Sequence, residues 1–328
     1  MSARRITVLG IGAWGTALAV VLHQNGHHVT LWGHDSAHLG EVLRTGTNEK
    51  YLPTVVLPRD WRGEPELHHA IADAELVVLA VPSRAVRTVG AALANYSGPV
   101  ISVTKGIEAE TGLTMCGLIE QLAPRAQTAG LSGPSLALEV ARGIPTAVVA
   151  ASANPALAAR IQTLFHRPTF RVYASTDLIG VELGGALKNV VAIAAGVCDG
   201  LEFGDNAKAA LLTRALAEIT RLGVACGARA ETFAGLSGLG DMTVTCFSRL
   251  SRNRTFGERI GRGEPIAELL AHRTSVVEGY PTTRSAHELA RRLAVSAPVI
   301  DEIYALLYAG KAPRAVVRDL LNREYRHE

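Results

Sequence analysis

Two lysines stand where an ammonium group has chemistry to do. Lys188 lies in Glu182-Leu183-Gly184-Gly185-Ala186-Leu187-Lys188-Asn189-Val190, a polar pair with Asn189 inside an otherwise apolar run of helical spacing. Burying a lysine without compensation is costly, so the position calls either for a functional role or for an acidic partner. Lys105, in Thr104-Lys105-Gly106, directly follows the apolar run 100–103. A lysine whose pKa is depressed by burial or by neighbouring cations can serve as general acid and base, the group needed beside a hydride path when ketone and alcohol interconvert.

A second set of candidates begins at Gly235-Leu236-Ser237-Gly238-Leu239-Gly240-Asp241, too glycine-rich to continue a helix comfortably. It runs into Thr243-Val244-Thr245-Cys246-Phe247-Ser248-Arg249 and Ser251-Arg252-Asn253-Arg254. A loop here can bring Asp241, Thr245, Arg252 and Asn253 together. A guanidinium fork suits bidentate contact with phosphate, while asparagine and threonine hydrogen-bond hydroxyl or carbonyl oxygens. The plainer alternative is that the three arginines form a solvated basic face. Ser132-Gly133-Pro134-Ser135 poses a similar choice between gripping substrate or cofactor oxygens and being only a turn with an N-cap.

The elements that must position these groups follow from periodicity. Short apolar runs at 6–9, 29–32, 76–81 and 100–103, and further ones at 128–131, 146–150 and 170–173, alternate with helix-like segments. That is the pattern of a parallel sheet built from βαβ units, whose carboxyl edge binds ligands. Gly10-Ile11-Gly12-Ala13-Trp14-Gly15 follows the first strand and opens the helical run 16–24, with Asn25-Gly26 as its stop. In that setting Gly10 permits a tight turn, Gly12 the approach of a pyrophosphate and Gly15 close helix packing, with the helix dipole facing the phosphate charge. At the tip of the second strand, in Trp32-Gly33-His34-Asp35, His34 can help to bind a 2′-phosphate and Asp35 opposes it. The balance favours NADPH, with NADH tolerated.

After about Asp177 strand-like runs disappear. Leu211, Leu212, Ala215, Leu216, Ile219 and Leu222 recur at helical intervals, and Pro281, Pro298 and Pro313 mark boundaries between later helices. The expected fold class is therefore α/β: a Rossmann-like dinucleotide-binding domain with a mostly parallel sheet over 1–180, and an all-helical substrate-binding domain over 181–328.

Composition narrows the function. A chain of 328 residues suits two cores better than one, and a formal net charge of +3 gives no support to a nucleic-acid partner. The cysteines Cys116, Cys198, Cys226 and Cys246 lack metal-finger spacing, and the adjacent pairs His27-His28 and His68-His69 point to different sides of an element, so no metal site is expected. Isolated thiols fit a reducing cytoplasm. No apolar run approaches the ~20 residues that span a bilayer.

Together these segments resemble the bacterial NAD(P)-dependent glycerol-3-phosphate dehydrogenase family over essentially the whole chain. The most specific pieces are 10–18, 103–112, 131–134, 184–190 and 235–253, in the family's order and about its spacing, and the match continues through Val276-Val277-Glu278-Gly279-Tyr280. The resemblance implies reversible reduction of dihydroxyacetone phosphate to sn-glycerol 3-phosphate for phospholipid synthesis, by a homodimer using NADPH or NADH. By motif position Lys188 is the implied general acid and base, oriented with the substrate oxygens by Asn189, Asp241 and Thr245, while Lys105 contacts substrate and cofactor. The implied phosphate site is Arg252 and Asn253 with Gly133, Ser135 and Ser251. The implied cofactor set adds Ala13, Trp14, His34, Ala137, Val276 and Glu278 to the three glycines, again with Lys105 and Arg252. Ala13 departs from the family's common serine, which removes a hydroxyl and keeps the backbone N–H.

The enzyme alternatives are a 3-hydroxyacid or 6-phosphogluconate type dehydrogenase, from which the 235–253 segment distinguishes this chain, and a sugar-nucleotide dehydrogenase, which needs a cysteine nucleophile. A dinucleotide-sensing regulator would keep the glycines without needing Lys105, Lys188, Asp241 and Arg252 together.

Overall fold

The first strand, β1 (Arg5–Leu9), sends Ile6 and Val8 into one apolar cluster and Leu9 into another. A strand covered on both faces reads as an unbroken apolar run, which is why the central strands are plain in the sequence. In this computed structural model, which describes residues 2–271 and 276–321, the chain divides into two units. One comprises Met1–Lys105 and Leu113–Glu182, the other Gly106–Gly112 and Leu183–Glu328.

The first unit holds the sheet. After β1 come β2 (His28–Trp32), β3 (Thr47–Asn48), β4 (Leu52–Val56), β5 (Arg62–Gly63), β6 (Leu76–Leu79), β7 (Pro99–Ser102), β8 (Gln127–Ser132), β9 (Thr146–Ala151) and β10 (Phe170–Ser175). Eight of them form one sheet in the order β10-β9-β8-β7-β6-β1-β2-β5, parallel except between β8 and β9. All seven expected runs are strands. The run 76–81 stops early, at Leu79, because the turn at Gly10 packs on the carbonyl of Ala80 so closely that a Cβ there would collide with it. The two-residue β5 and the β3/β4 hairpin carry no apolar alternation, which is why periodicity does not find them.

The second unit is helical among its described residues, with a core that includes Leu187, Val190, Ile193, Leu212, Ile219, Phe233, Ile300 and Ile303. Pro298 and Pro313 each open a helix, Pro298–Tyr308 and Pro313–Leu321, where a missing N–H costs nothing. Pro281 instead lies in the first turn of Gly279–Arg292.

One expectation needs correction. The 23-residue helix Leu178–Gly200 is long enough and, at a mean hydropathy of 1.6, apolar enough to cross a bilayer, although Glu182, Lys188 and Asn189 hide this in a simple scan for unbroken runs. Some 89% of its most apolar window is buried inside the protein, so it is a core helix.

Candidate active site

The glycine turn is built for close approach. Gly10 has φ +116°, and its N–H donates to the carbonyl of Trp32 at 2.8 Å. A Cβ on Gly15 would collide with the carbonyl of Gly10, whereas a Cβ on Gly12 would meet nothing. Helix Ala13–Gln24 therefore starts beside an open position, and its N-cap, Gly12, supplies no capping side chain to the first N–H groups. Trp14 adds a buried indole N–H without a hydrogen-bond partner. An uncapped helix start beside open space fits the pyrophosphate of a dinucleotide.

Sequence reading missed what holds this turn. Asn48, wholly buried, donates from Nδ2 to the carbonyl of Ile11 and to Oγ1 of Thr16, both at 2.9 Å. It lies in β3, too short a strand to announce itself.

At the same carboxyl edge of the parallel strands, after β7 and β8, Lys105 Nζ donates to the carbonyl of Gly133 at 3.4 Å, and Ser135 Oγ donates to the same oxygen at 2.9 Å. The N-cap of the following helix, Ala137–Ala141, is Leu136 without a side-chain cap bond, so Ser135 is not the cap that the bare pattern suggested. Gly133 sits at φ +144° against Val148, which leaves no room for a side chain.

In the helical unit, Lys188 is buried and its Nζ donates to Oδ1 of Asp241 and to Oγ1 of Thr245, each at 2.6 Å. The Thr245 hydroxyl donates in turn to the backbone carbonyl of Asp241 at 2.6 Å. Of the two answers the sequence left open for Lys188, a functional role or an acidic partner, the second is present: Asp241, buried with the lysine. The glycine-rich segment is not a loop: Leu236–Gly240 makes a π-helical turn that passes straight into helix Asp241–Phe247. Gly184 lets that turn come close, since a Cβ there would fall 2.8 Å from the carbonyl oxygen of Ser237.

Next to Lys188, Asn189 accepts at Oδ1 from Nδ2 of Asn253 at 2.9 Å, and Oδ1 of Asn253 accepts from the N–H of Gly279 at 2.9 Å. Asn253 belongs to helix Arg252–Gly261, whose N-cap is Ser251, with Oγ accepting from the N–H of Arg254 at 3.2 Å. This helix crosses Leu178–Gly200 with backbones touching: a Cβ on Gly196, Gly200 or Gly257 would overlap the carbonyl oxygen of Arg254, Glu258 or Ile193 respectively. Arg252, at the first turn, keeps solvent-accessible surface, yet the protein around it desolvates the guanidinium and pulls its pKa down against the opposing charge of Glu278. Val276 and Glu278 lead into helix Gly279–Arg292, with Glu278 at its N-cap.

The family of the chain follows from its similarity to known proteins. A family model described as the N-terminus of NAD-dependent glycerol-3-phosphate dehydrogenase matches residues 5–158, and one described as its C-terminus matches 177–318. The chain belongs to that family. Glycerol-3-phosphate dehydrogenase [NAD(P)+] of Anaeromyxobacter dehalogenans is 48% identical over 330 residues, covering 99% of both chains. The enzyme of the same name from Geobacillus kaustophilus is 48% identical over 329 residues, covering 98% of this chain and 96% of its own. A crystal structure of the Coxiella burnetii glycerol-3-phosphate dehydrogenase superposes with a TM-score of 0.94 at 37% identity, covering 98% of this chain and 99% of that one.

Membership makes the chain an NAD(P)-dependent oxidoreductase, and the site chemistry agrees. None of the four thiols has the lowered pKa of an activated nucleophile: burial pushes Cys198 up to about 11 and Cys246 to about 12, and raises Cys116 and Cys226 as well. A buried ion-pair cluster was also not foreseen. Arg254 is no part of a solvated basic face; it pairs with Asp199 at 2.6 Å and Glu258 at 3.1 Å, and the buried ammonium of Lys208 also pairs with Asp199. The signal lay in Asp199, another charge at the end of an apolar helix. Arg249, by contrast, is exposed.

Proposed function

We propose that the chain catalyses the reversible, NAD(P)H-dependent reduction of dihydroxyacetone phosphate to sn-glycerol 3-phosphate, with Lys188 as general acid and base. The observation that carries this reading is the buried Lys188, held at 2.6 Å by both Asp241 and Thr245, with its neighbour Asn189 bonded to the neighbour of Arg252. When bound, the nicotinamide supplies or accepts the hydride. Lys188 delivers a proton to the carbonyl oxygen as the alcohol forms and takes the hydroxyl proton in the reverse direction. Asp241 fixes the ammonium by charge, and Thr245 fixes it by geometry. Asn189 and Asn253, locked to one another, orient substrate oxygens.

Arg252 grips the substrate phosphate with its charged fork, supported by Ser251 at the start of its helix. Lys105, Gly133 and Ser135 contribute further substrate contacts. The turn Gly10, Gly12, Ala13, Trp14 and Gly15 holds the dinucleotide, with His34, Lys105, Ala137, Arg252, Val276 and Glu278 as additional contacts. On this reading residues 1–180 serve the cofactor and 181–328 the substrate. The product supplies the glycerol phosphate of phospholipids, and the enzyme works in the cytoplasm as a homodimer.

Initial rates of NADPH and NADH oxidation with dihydroxyacetone phosphate, unphosphorylated dihydroxyacetone and other phosphorylated ketones test the proposal. Turnover should require the phosphate; comparable efficiency with dihydroxyacetone contradicts the assignment of Arg252.

A further inference from the structure

At the tip of β2 a doubly wound nucleotide-binding fold uses a carboxylate to hold an adenosine ribose 2′-hydroxyl, or a cation to accept a 2′-phosphate. Asp35 stands there, but its carboxylate is already employed. It caps helix Ser36–Thr45, with Oδ1 accepting from the N–H of His38 at 3.0 Å. That bond is the main cause of its pKa lying below the ordinary carboxylate value, and the charge of Lys50 adds to the effect.

The turn between β3 and β4 is fastened to the same place. Nε2 of His38 meets Oδ1 of Asn48 at 3.2 Å, while Nδ2 of Asn48 holds the carbonyl of Ile11 in the glycine turn at 2.9 Å. The His38 ring stands edge-on to Tyr51 with centroids 5.4 Å apart, and the Lys50 ammonium lies 5.2 Å from the centroid of the Tyr51 ring. Asn48 is fully buried and Lys50 exposed. Hydrogen bonds therefore join the glycine turn to the helix cap after β2, and ring contacts through Tyr51 set the accessible cation of Lys50 beside them.

From this juxtaposition we infer that Lys50 is the residue that selects NADPH over NADH, its ammonium meeting the adenosine 2′-phosphate while Asn48 and His38 position the turn that carries it. The inference rests on the cofactor reading above and names the group that decides its preference. A phosphate dianion beside Asp35 needs a countercharge. The exposed Lys50 supplies a compact, mobile cationic head on a flexible stem that can reach such a phosphate.

Calorimetric titration of the purified full-length protein with NADPH and with NADH tests this without recourse to turnover. Lys50→Ala is expected to raise the Kd for NADPH about tenfold, the loss of one charge-assisted contact, and to leave NADH within about twofold. Lys50→Arg should retain NADPH binding. Equal losses for both dinucleotides, or no change for either, overturn the assignment. A wild-type protein that binds neither dinucleotide overturns the cofactor reading and the inference with it, a result distinct from the other two.

Discussion

The side-chain amide of Asn253 donates to the side-chain oxygen of Asn189 at 2.9 Å, so the residues next to Arg252 and Lys188 are bonded to one another across two helices. Both amides are buried, and Asn253 also satisfies the N–H of Gly279. Asn253→Ala should therefore do two things at once. It leaves two buried groups unpaired, costing about 1–3 kcal/mol in stability, and it raises the KM for dihydroxyacetone phosphate. Chemical denaturation and steady-state kinetics on the same preparation measure the pair of effects.

Arg252 and Arg254 sit two residues apart and should fail differently. Arg252→Ala removes a charge-assisted contact to substrate phosphate, and KM should rise about 10- to 100-fold with little change in melting temperature. Arg254→Ala leaves Asp199 with Lys208 alone, and breaking a largely buried pair should cost about 3 kcal/mol of stability. Matching losses of stability in the two variants would refute the separation.

The helix crossing beneath these residues is set by glycine. In Gly196→Ala the new methyl would overlap the Arg254 carbonyl, so the helices must part and the Asn189–Asn253 bond with them. Overpacking of this kind typically costs about 1–3 kcal/mol. The expected signature is a lowered melting temperature together with a raised KM for substrate.

Glu218 gives a pH dependence of known sign. Its carboxylate accepts from the N–H groups of Val299 at 2.9 Å and Ile300 at 2.8 Å, capping helix Pro298–Tyr308, yet burial raises its pKa from 4.5 to about 7. The folded state thus holds the proton more tightly than the unfolded state. The stability this group contributes is fully present below about pH 4.5 and is lost as pH rises through about 7, an effect on the order of 3 kcal/mol. Glu182, raised to about 7 by its own burial, acts in the same direction. Unfolding free energies measured from pH 5 to 8 should fall less steeply in Glu218→Gln than in the wild type; an identical slope would count against it.

Much of this was legible in the sequence, for definable reasons. Strands covered on both faces, such as β6, are unbroken apolar runs, and the glycine turn declares itself because Gly10 and Gly15 each answer a steric demand while Gly12 keeps the approach open. Lys188 was conspicuous because a charge inside an apolar helix calls for a function or an acidic partner, and its partner in the structure is Asp241. What stayed hidden depends on distant partners. Asn48 looks like any polar turn residue until its amide is found on the carbonyl of Ile11. Arg254 looked solvated because Asp199 lies 55 positions earlier, and the π-turn at Leu236–Gly240 replaces an expected loop because Gly184 and Gly238 remove the side chains that would exclude it. The direction of β9 relative to β8 leaves no trace in composition.

The central claim is that Lys188 moves the proton. Lys188→Ala should lower kcat for dihydroxyacetone phosphate reduction by at least about 100-fold, the smallest effect typical of a positioned acid, with the Kd for NADPH unchanged. Single-turnover oxidation of bound NADPH, followed by absorbance in wild type and variant, measures this most directly. A variant that turns over within a few-fold of the wild type would contradict the account.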